Sequence, residues 1–224
     1  MKVLNYGSLN VDYVYSVDHI IVGGETQHSS KMEIFSGGKG LNQSIALAKA
    51  GVPVYHAGIV GNDGDILLDA CKEAGVNTKY IRRLPVKGGH TMIQVDKNAQ
   101  NCIILYGGTN QMQTREFVDE VLADFGEGDY LILQNEINML DYIIDQAYEK
   151  KMKIVMNPSP FDDKLNSCDL GKVYLFLVNE IEGEQITGCK DKDQILDALA
   201  EKYPNARFVL TLGSDGAVYY DGKE

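Results

Sequence analysis

Phe35-Ser-Gly-Gly-Lys-Gly-Leu-Asn-Gln-Ser-Ile-Ala-Leu-Ala-Lys-Ala-Gly51 sets three glycines, a lysine and an asparagine directly before an apolar helical repeat. Glycines at 37, 38 and 40 allow backbone to approach a ligand closely. The apolar residues Ile45, Leu47, Ala48 and Ala50 predict a helix over 42–50, with Gly51 placed as its C-terminal cap. A helix that starts at a glycine loop offers N–H groups and the positive end of its dipole to an anion or to many oxygens. Lys39 and Asn42 add side-chain donors. The loop is not a Walker A motif, since no glycine lies five residues before Gly38 and no Ser or Thr follows Lys39. It is not a dinucleotide fingerprint either, because G-x-G-x-x-G is absent. A tight strand-to-helix turn is the plainer reading, but a mere turn needs no three glycines together with Lys39 and Asn42.

On both sides of this loop, strand-like and helix-like segments alternate. Lys2–Tyr6, Tyr55–Val60, Tyr130–Gln134, Lys153–Met156, Tyr174–Val178 and Phe208–Leu212 read as short apolar strands. Ile66–Ala74, Asn138–Lys150, Glu180–Thr187 and Ile195–Lys202 read as helices, the first stopped by Gly75. The repetition predicts a parallel sheet with helices on both faces. Residues 11–35 and 88–107 break the rhythm with β-type alternation, and Met92–Tyr106 reads as a hairpin with a polar turn at Asp96–Asn101. Together they predict a small sheet, inserted in the α/β core, that acts as a lid over strand ends where ligands bind.

Composition narrows the function. Of 224 residues, 21 are Lys or Arg and 32 are Asp or Glu, a net charge of −11 that argues against nucleic acid and anionic membranes as partners. No apolar run approaches the roughly 20 residues of a membrane span, and the opening Met1-Lys-Val-Leu-Asn-Tyr-Gly7 reads as a strand rather than a leader. The four cysteines (71, 102, 168, 189) show neither C-x-x-C nor zinc-finger spacing, so they read as idle thiols of a cytoplasmic protein. The four histidines form no metal-binding pair.

The glycine loop resembles the first signature of ribokinase-like (PfkB-type) carbohydrate kinases, Gly-Gly-Lys-Gly-x-Asn. Further similarities follow in order: Gly7-Ser-Leu-Asn-Val-Asp12, Gly24-Glu-Thr26, Gly61-Asn-Asp-Gly64, Gly107-Gly-Thr-Asn110, Gln134-Asn-Glu136, Asn157-Pro-Ser-Pro160, Asn179-Glu-Ile-Glu182 and Thr211-Leu-Gly-Ser-Asp-Gly216. The resemblance spans the whole chain. It implies a three-layer α/β/α core with a mostly parallel central sheet and a β lid, carried by one domain over residues 1–224.

The implied activity is ATP-dependent phosphorylation of a hydroxyl of a small sugar, ribose or a related sugar by preference. The implied sugar ligands are Asn10, Asp12, Gly38, Lys39, Asn42 and Glu136. The implied nucleotide contacts are Asn179, Thr211 and Gly213, with Glu182 acting on Mg2+ through water. Each group has a plainer reading as well: Asn10 and Asp12 as an Asx turn, Glu136, Asn179 and Glu182 as helix-start residues, and Gly213–Gly216 as a β-turn. Tyr13, Tyr15, Ile104 and Tyr106 of the lid could line either a sugar or a nucleoside site, so a nucleoside kinase of the same fold stays open, as does a non-catalytic sugar-binding protein. Family lids often pair between subunits, which implies a homodimer. The family's catalytic base belongs to a Gly-Ala-Gly-Asp string that also forms the anion hole, and no such string occurs before Glu224. The expectation is that the base, the possible K+ loop and the C-terminal part of the fold lie beyond this chain, and that these 224 residues alone do not turn over.

Overall fold

The computed structural model describes residues 1–221. In chain order the first elements are β1 (Val3–Tyr6), β2 (Asn10–Ser16), β3 (Lys31–Gly37), α1 (Lys39–Lys49), β4 (Val54–Val60), α2 (Asp65–Ala74), β5 (Asn77–Arg83), β6 (Gly89–Val95) and β7 (Asn101–Tyr106). They are followed by α3 (Arg115–Leu122), β8 (Tyr130–Gln134), α4 (Leu140–Glu149), β9 (Lys153–Asn157), β10 (Leu175–Asn179), α5 (Glu180–Thr187), α6 (Lys192–Lys202), β11 (Arg207–Thr211) and β12 (Ala217–Tyr220). The architecture is α/β, with a mostly parallel sheet and a smaller, separate one, and it divides into two compact units.

One unit comprises Met1–Tyr6 and the chain from Gln113 onward. Its strands lie in the order β12-β11-β10-β9-β8-β1. Every neighbouring pair is parallel except β11–β12. Strands covered on both faces need near-continuous apolar sequence, and Tyr130-Leu-Ile-Leu and Ile154-Val-Met supply it, with Leu131, Leu133, Ile154 and Met156 fully buried. Tyr6 meets Phe117 of α3 edge-on at 6.1 Å between ring centroids, and its hydroxyl donates to Gln113 Oε1 at 3.1 Å. Phe176 and Phe208 stack across β10 and β11, with centroids 5.8 Å apart.

The other unit, Gly7–Met112, contains the parallel pair β4–β5 and a four-stranded sheet in the order β3-β2-β6-β7. That small sheet is built from residues 10–37 and 89–106. Its β6–β7 hairpin turns at Asp96, whose Oδ1 accepts from the backbone N–H of Asn98 (2.8 Å) and Gln100 (2.9 Å). Its central β2–β6 pairing is parallel.

Several elements differ from the sequence reading for identifiable reasons. β5 has a polar, basic sequence suited to an exposed strand and carries little hydrophobic signal. Helix α3 is short; Thr114 caps it, with Oγ1 accepting from Phe117 N at 3.3 Å. Helix α6 begins three residues before Ile195 because Asp191 caps Asp193 and Gln194 at 3.0 and 3.2 Å. β11 and β12 form the last hairpin of the described residues.

Candidate functional site

Within the Gly7–Met112 unit, β2, β3 and the start of α1 converge on one set of predicted ligands. Asn10 opens β2 and is registered with Gly37 on β3 and Gly89 on β6. Asp12, one residue pair along, faces Phe35 and Thr91. Thr91 Oγ1 donates to Asp12 Oδ1 at 2.6 Å, which fixes a carboxylate whose two oxygens have lone pairs enough for several donors. Gly37 is a requirement of this geometry: a Cβ there would run into the Asp12 carboxylate. Gly38 has φ +98, and its backbone lies against Ser8 O and Asn10 N, where a Cβ would come within 2.9 and 3.0 Å. The structure thus brings Asn10, Asp12, Gly38 and Lys39 together, with Asn42 exposed on the first turn of α1.

The helix start is less open than the sequence predicts. Ser8 Oγ accepts from Gly40 N at 3.2 Å and Ser8 O from Leu41 N at 3.0 Å. Ser8 therefore satisfies N–H groups that a ligand was expected to meet. Helix α1 is also tied to β4: Ser44 Oγ and His56 Nδ1 share a buried hydrogen bond of 2.8 Å. Burial pushes the His56 pKa down to about 4, with a backbone contact to Gly7 opposing the shift.

That shift has a sign and a pH window. Above the unfolded-state value of 6.5, His56 is neutral in both states and its contribution is constant. As pH falls toward about 4, the unfolded chain takes up a proton that the folded chain refuses, so stability is lost with falling pH. From pH ~7.5 to ~5, urea unfolding of the wild-type chain is expected to lose about 2 kcal/mol more than that of His56→Gln. Equal losses in the two proteins would contradict this account.

A second support sits at the start of β6, a central strand of the small sheet. Lys87 Nζ pairs with Asp63 Oδ2 at 2.6 Å and donates to Tyr13 OH at 2.9 Å, while Gly88 N donates to Asp63 Oδ1 at 2.9 Å. Burial alone would raise the Asp63 pKa, but these bonds outweigh it and hold it below the ordinary value.

The structure corrects one expectation about the small sheet. Side chains alternate across a strand. The register places Tyr13, Tyr15, Ile104 and Tyr106 on the face opposite Asp12. The row containing Asp12 instead carries Phe35, Thr91 and Leu105. On the opposite face His90 lies between Tyr13 and Tyr106, at 6.1 and 5.0 Å between ring centroids. Those tyrosines therefore do not flank the carboxylate. Sequence reasoning missed Thr91, Ser8 and Asn110 as site-building residues; Ser8 and Asn110 sit inside recognised motifs, whereas Thr91 has no signal of its own.

The remaining predicted residues belong to the other unit. Glu136 follows β8 in a half-buried turn. Its neighbour Asn135 donates through Nδ2 to Asp162 Oδ1 at 2.9 Å, and Asn135 N donates to Ser159 O at 3.2 Å. Asn179 and Thr211 end adjacent parallel strands as register partners, with Gly213 (φ +57) just beyond. Strand ends of this kind are where ligands bind in parallel α/β sheets. Asn179 and Glu182 form a reciprocal capping box: Asn179 Oδ1 accepts from Glu182 N at 2.8 Å, and Glu182 Oε2 accepts from Asn179 N at 3.1 Å. Glu182 is only 7% exposed. No group of three or more potential metal ligands occurs among the described residues. A single oriented carboxylate fits a hydrated Mg2+, which keeps its waters and takes few protein ligands, and does not fit an all-protein cage. Among the described residues, no helix is long and apolar enough to cross a membrane.

Known proteins resemble this chain over its whole length. The chain is 31% identical over 196 residues to a ribokinase of Haemophilus influenzae, covering 84% of this chain and 63% of that protein. It is 30% identical over 229 residues to a ribokinase of Staphylococcus aureus, covering 100% of this chain and 73% of that one. A solved ribokinase of Cryptococcus neoformans, in complex with ADP, superposes with a TM-score of 0.83 at 26% identity, covering 100% of this chain and 76% of that structure. The model of the pfkB family of carbohydrate kinases matches residues 1–224. The chain belongs to the pfkB family of carbohydrate kinases.

Proposed function

We propose that the protein of which these residues are part transfers the γ-phosphoryl group of ATP to a hydroxyl of a small sugar, with ribose or a related sugar favoured. The observation that carries the reading is the Asn10, Asp12 and Gly37–Lys39 cluster, a carboxylate and amide beside a backbone that only glycine permits. A carboxylate that accepts from two hydroxyls binds a polyol in charge-assisted bonds. Gly38, Lys39 and Asn42 are assigned to the same sugar, and the family resemblance alone assigns Glu136 to a sugar contact. Asn179, Thr211 and Gly213 are assigned to the nucleotide, and Glu182 to hydrated Mg2+. When bound, that ion neutralises phosphate charge. Nucleoside kinase chemistry is disfavoured by the lid register, which turns Tyr13, Tyr15 and Tyr106 away from Asp12.

No Gly-Ala-Gly-Asp string is found in residues 1–224, so these residues alone are expected to bind sugar without releasing ADP. Calorimetric titration with ribose, fructose and nucleosides, paired with an ADP-release assay, tests both statements. Sugar binding without ADP release supports them. Nucleoside binding without sugar binding reverses the substrate class, and sugar-dependent ADP release overturns the inactivity.

The lid also supports self-association. The register lines up Ile34, Tyr13, Met92 and Ile104 across all four strands on the face opposite Asp12. Ile34, Met92 and Ile104 are 46, 48 and 62% exposed. An apolar row of this kind on an open sheet is an association surface. Gel filtration is expected to show a homodimer that Ile104→Glu converts to a monomer; a monomeric wild-type chain at high concentration would count against it.

A further inference from the structure

Asn110, on the turn after β7, makes three hydrogen bonds around β2. Its Oδ1 accepts from Leu9 N at 3.0 Å. Its Nδ2 donates to Leu9 O at 3.3 Å and to Asn10 Oδ1 at 2.7 Å. Both amides are buried, Asn10 at 2% and Asn110 at 1% exposure. The backbone removes any ambiguity about which way they point. Leu9 N can only donate, so the Asn110 atom facing it is the oxygen. The Asn110 atom facing Asn10 is then the nitrogen, and the Asn10 atom that meets it is an oxygen. Asn10 is left presenting Nδ2, which has no acceptor among the described residues and is not sealed from solvent. Gly89 closes the pair from the side, where a Cβ would collide with Asn110 Nδ2 and come within 2.5 Å of Asn10 Oδ1.

We infer that Asn110 is a positioning residue that fixes the hydrogen-bond polarity of the sugar site. It holds Asn10 so that this residue offers the ligand a donor, while Asp12, on the same face of β2, offers an acceptor. A sugar hydroxyl lying between them accepts from Asn10 and donates to Asp12. The pair therefore selects a hydroxyl, which is both donor and acceptor, over a group that can only donate, such as a protonated amine. The inference rests on the proposed sugar site, and its test separates the two.

Two variants reverse the polarity by different routes. In Asn110→Asp the introduced carboxylate cannot donate, so Asn10 turns over, gives Nδ2 to that carboxylate and shows Oδ1 to the ligand. In Asn10→Asp the bond from Asn110 is retained and an oxygen replaces Nδ2, so this variant keeps the test open if the first fails to fold. Calorimetry of the 224-residue chain with ribose and with monoamino-monodeoxy pentoses, substituted at each carbon in turn, is the measurement. Both variants are expected to bind ribose about 10- to 100-fold more weakly, and to favour one amino analogue over ribose where the wild type does the reverse. Unchanged ribose affinity in Asn10→Asp, or loss with no change in the preference between ribose and its amino analogues, overturns the inference. If the wild-type chain binds no sugar, the sugar reading fails by itself. Side-chain amide hydrogen exchange then decides the polarity: slow Asn110 and fast Asn10 hydrogens support it, and slow Asn10 hydrogens overturn it.

Discussion

Asp12→Asn is expected to weaken sugar binding by about 100-fold or more, with little change in folding. A hydrogen bond to a charged acceptor contributes about 1.5–3 kcal/mol, and a carboxylate that takes two hydroxyls loses strength at both when its charge is removed. The substitution is isosteric, so the amide oxygen still accepts from Thr91 Oγ1, as Asp12 Oδ1 does at 2.6 Å. The carboxylate already fits the space left by Gly37, so no new atom has to be housed there. What changes is the negative charge, and with it the charge-assisted part of each bond that a sugar hydroxyl makes to this side chain. Calorimetry with ribose on wild type and Asp12→Asn, beside thermal melts of both, checks the expectation. Affinity indistinguishable from wild type would remove Asp12 from the sugar site and leave it as the partner of Thr91.

Gly40→Ala is expected to destabilise the chain by about 3 kcal/mol or more, a fall in melting temperature of roughly 6–12 °C for a chain of this size. Helix propensity alone predicts the opposite sign, since alanine is favoured over glycine in a helix by about 1 kcal/mol. Packing decides against propensity here. A Cβ on Gly40 would stand 2.5 Å from Ser8 N and 2.6 Å from the Gly7 carbonyl carbon, both backbone atoms that no rotamer change can move. Relief requires helix α1 to back away from the Gly7–Ser8 segment, which breaks the bonds from Gly40 N and Leu41 N to Ser8. Gly126→Ala serves as control, because a Cβ there meets nothing within 4 Å. A higher melting temperature for Gly40→Ala would show that the loop is looser than this packing requires.

Strands and helices with strong local signals were legible from sequence. Tyr130–Gln134 and Glu180–Thr187 lie at the predicted bounds because each couples an apolar run or a capping residue to a clear stop. β5 was not, since the sequence of an exposed strand carries no apolar run. The candidate site divides in the same way. The glycine loop announced itself through residue types that serve no ordinary turn, whereas Thr91, 79 positions from Asp12, could be paired with it only by strand register.

The α/β class, the smaller β-rich sheet and the family resemblance were readable without coordinates, because each depends on periodicity or on residues adjacent in the chain. Which groups are already spent, and which way the amides face, is set by contacts between distant segments. Ser8 takes helix N–H groups that the loop motif suggested were open to a ligand. Asn110, 100 residues from Asn10, orients that amide through the backbone of Leu9. The reason is physical: a motif specifies which donors and acceptors exist, but a hydrogen bond already made inside the protein removes one from the set available to a ligand. Those bonds form between segments that meet only when the chain is folded.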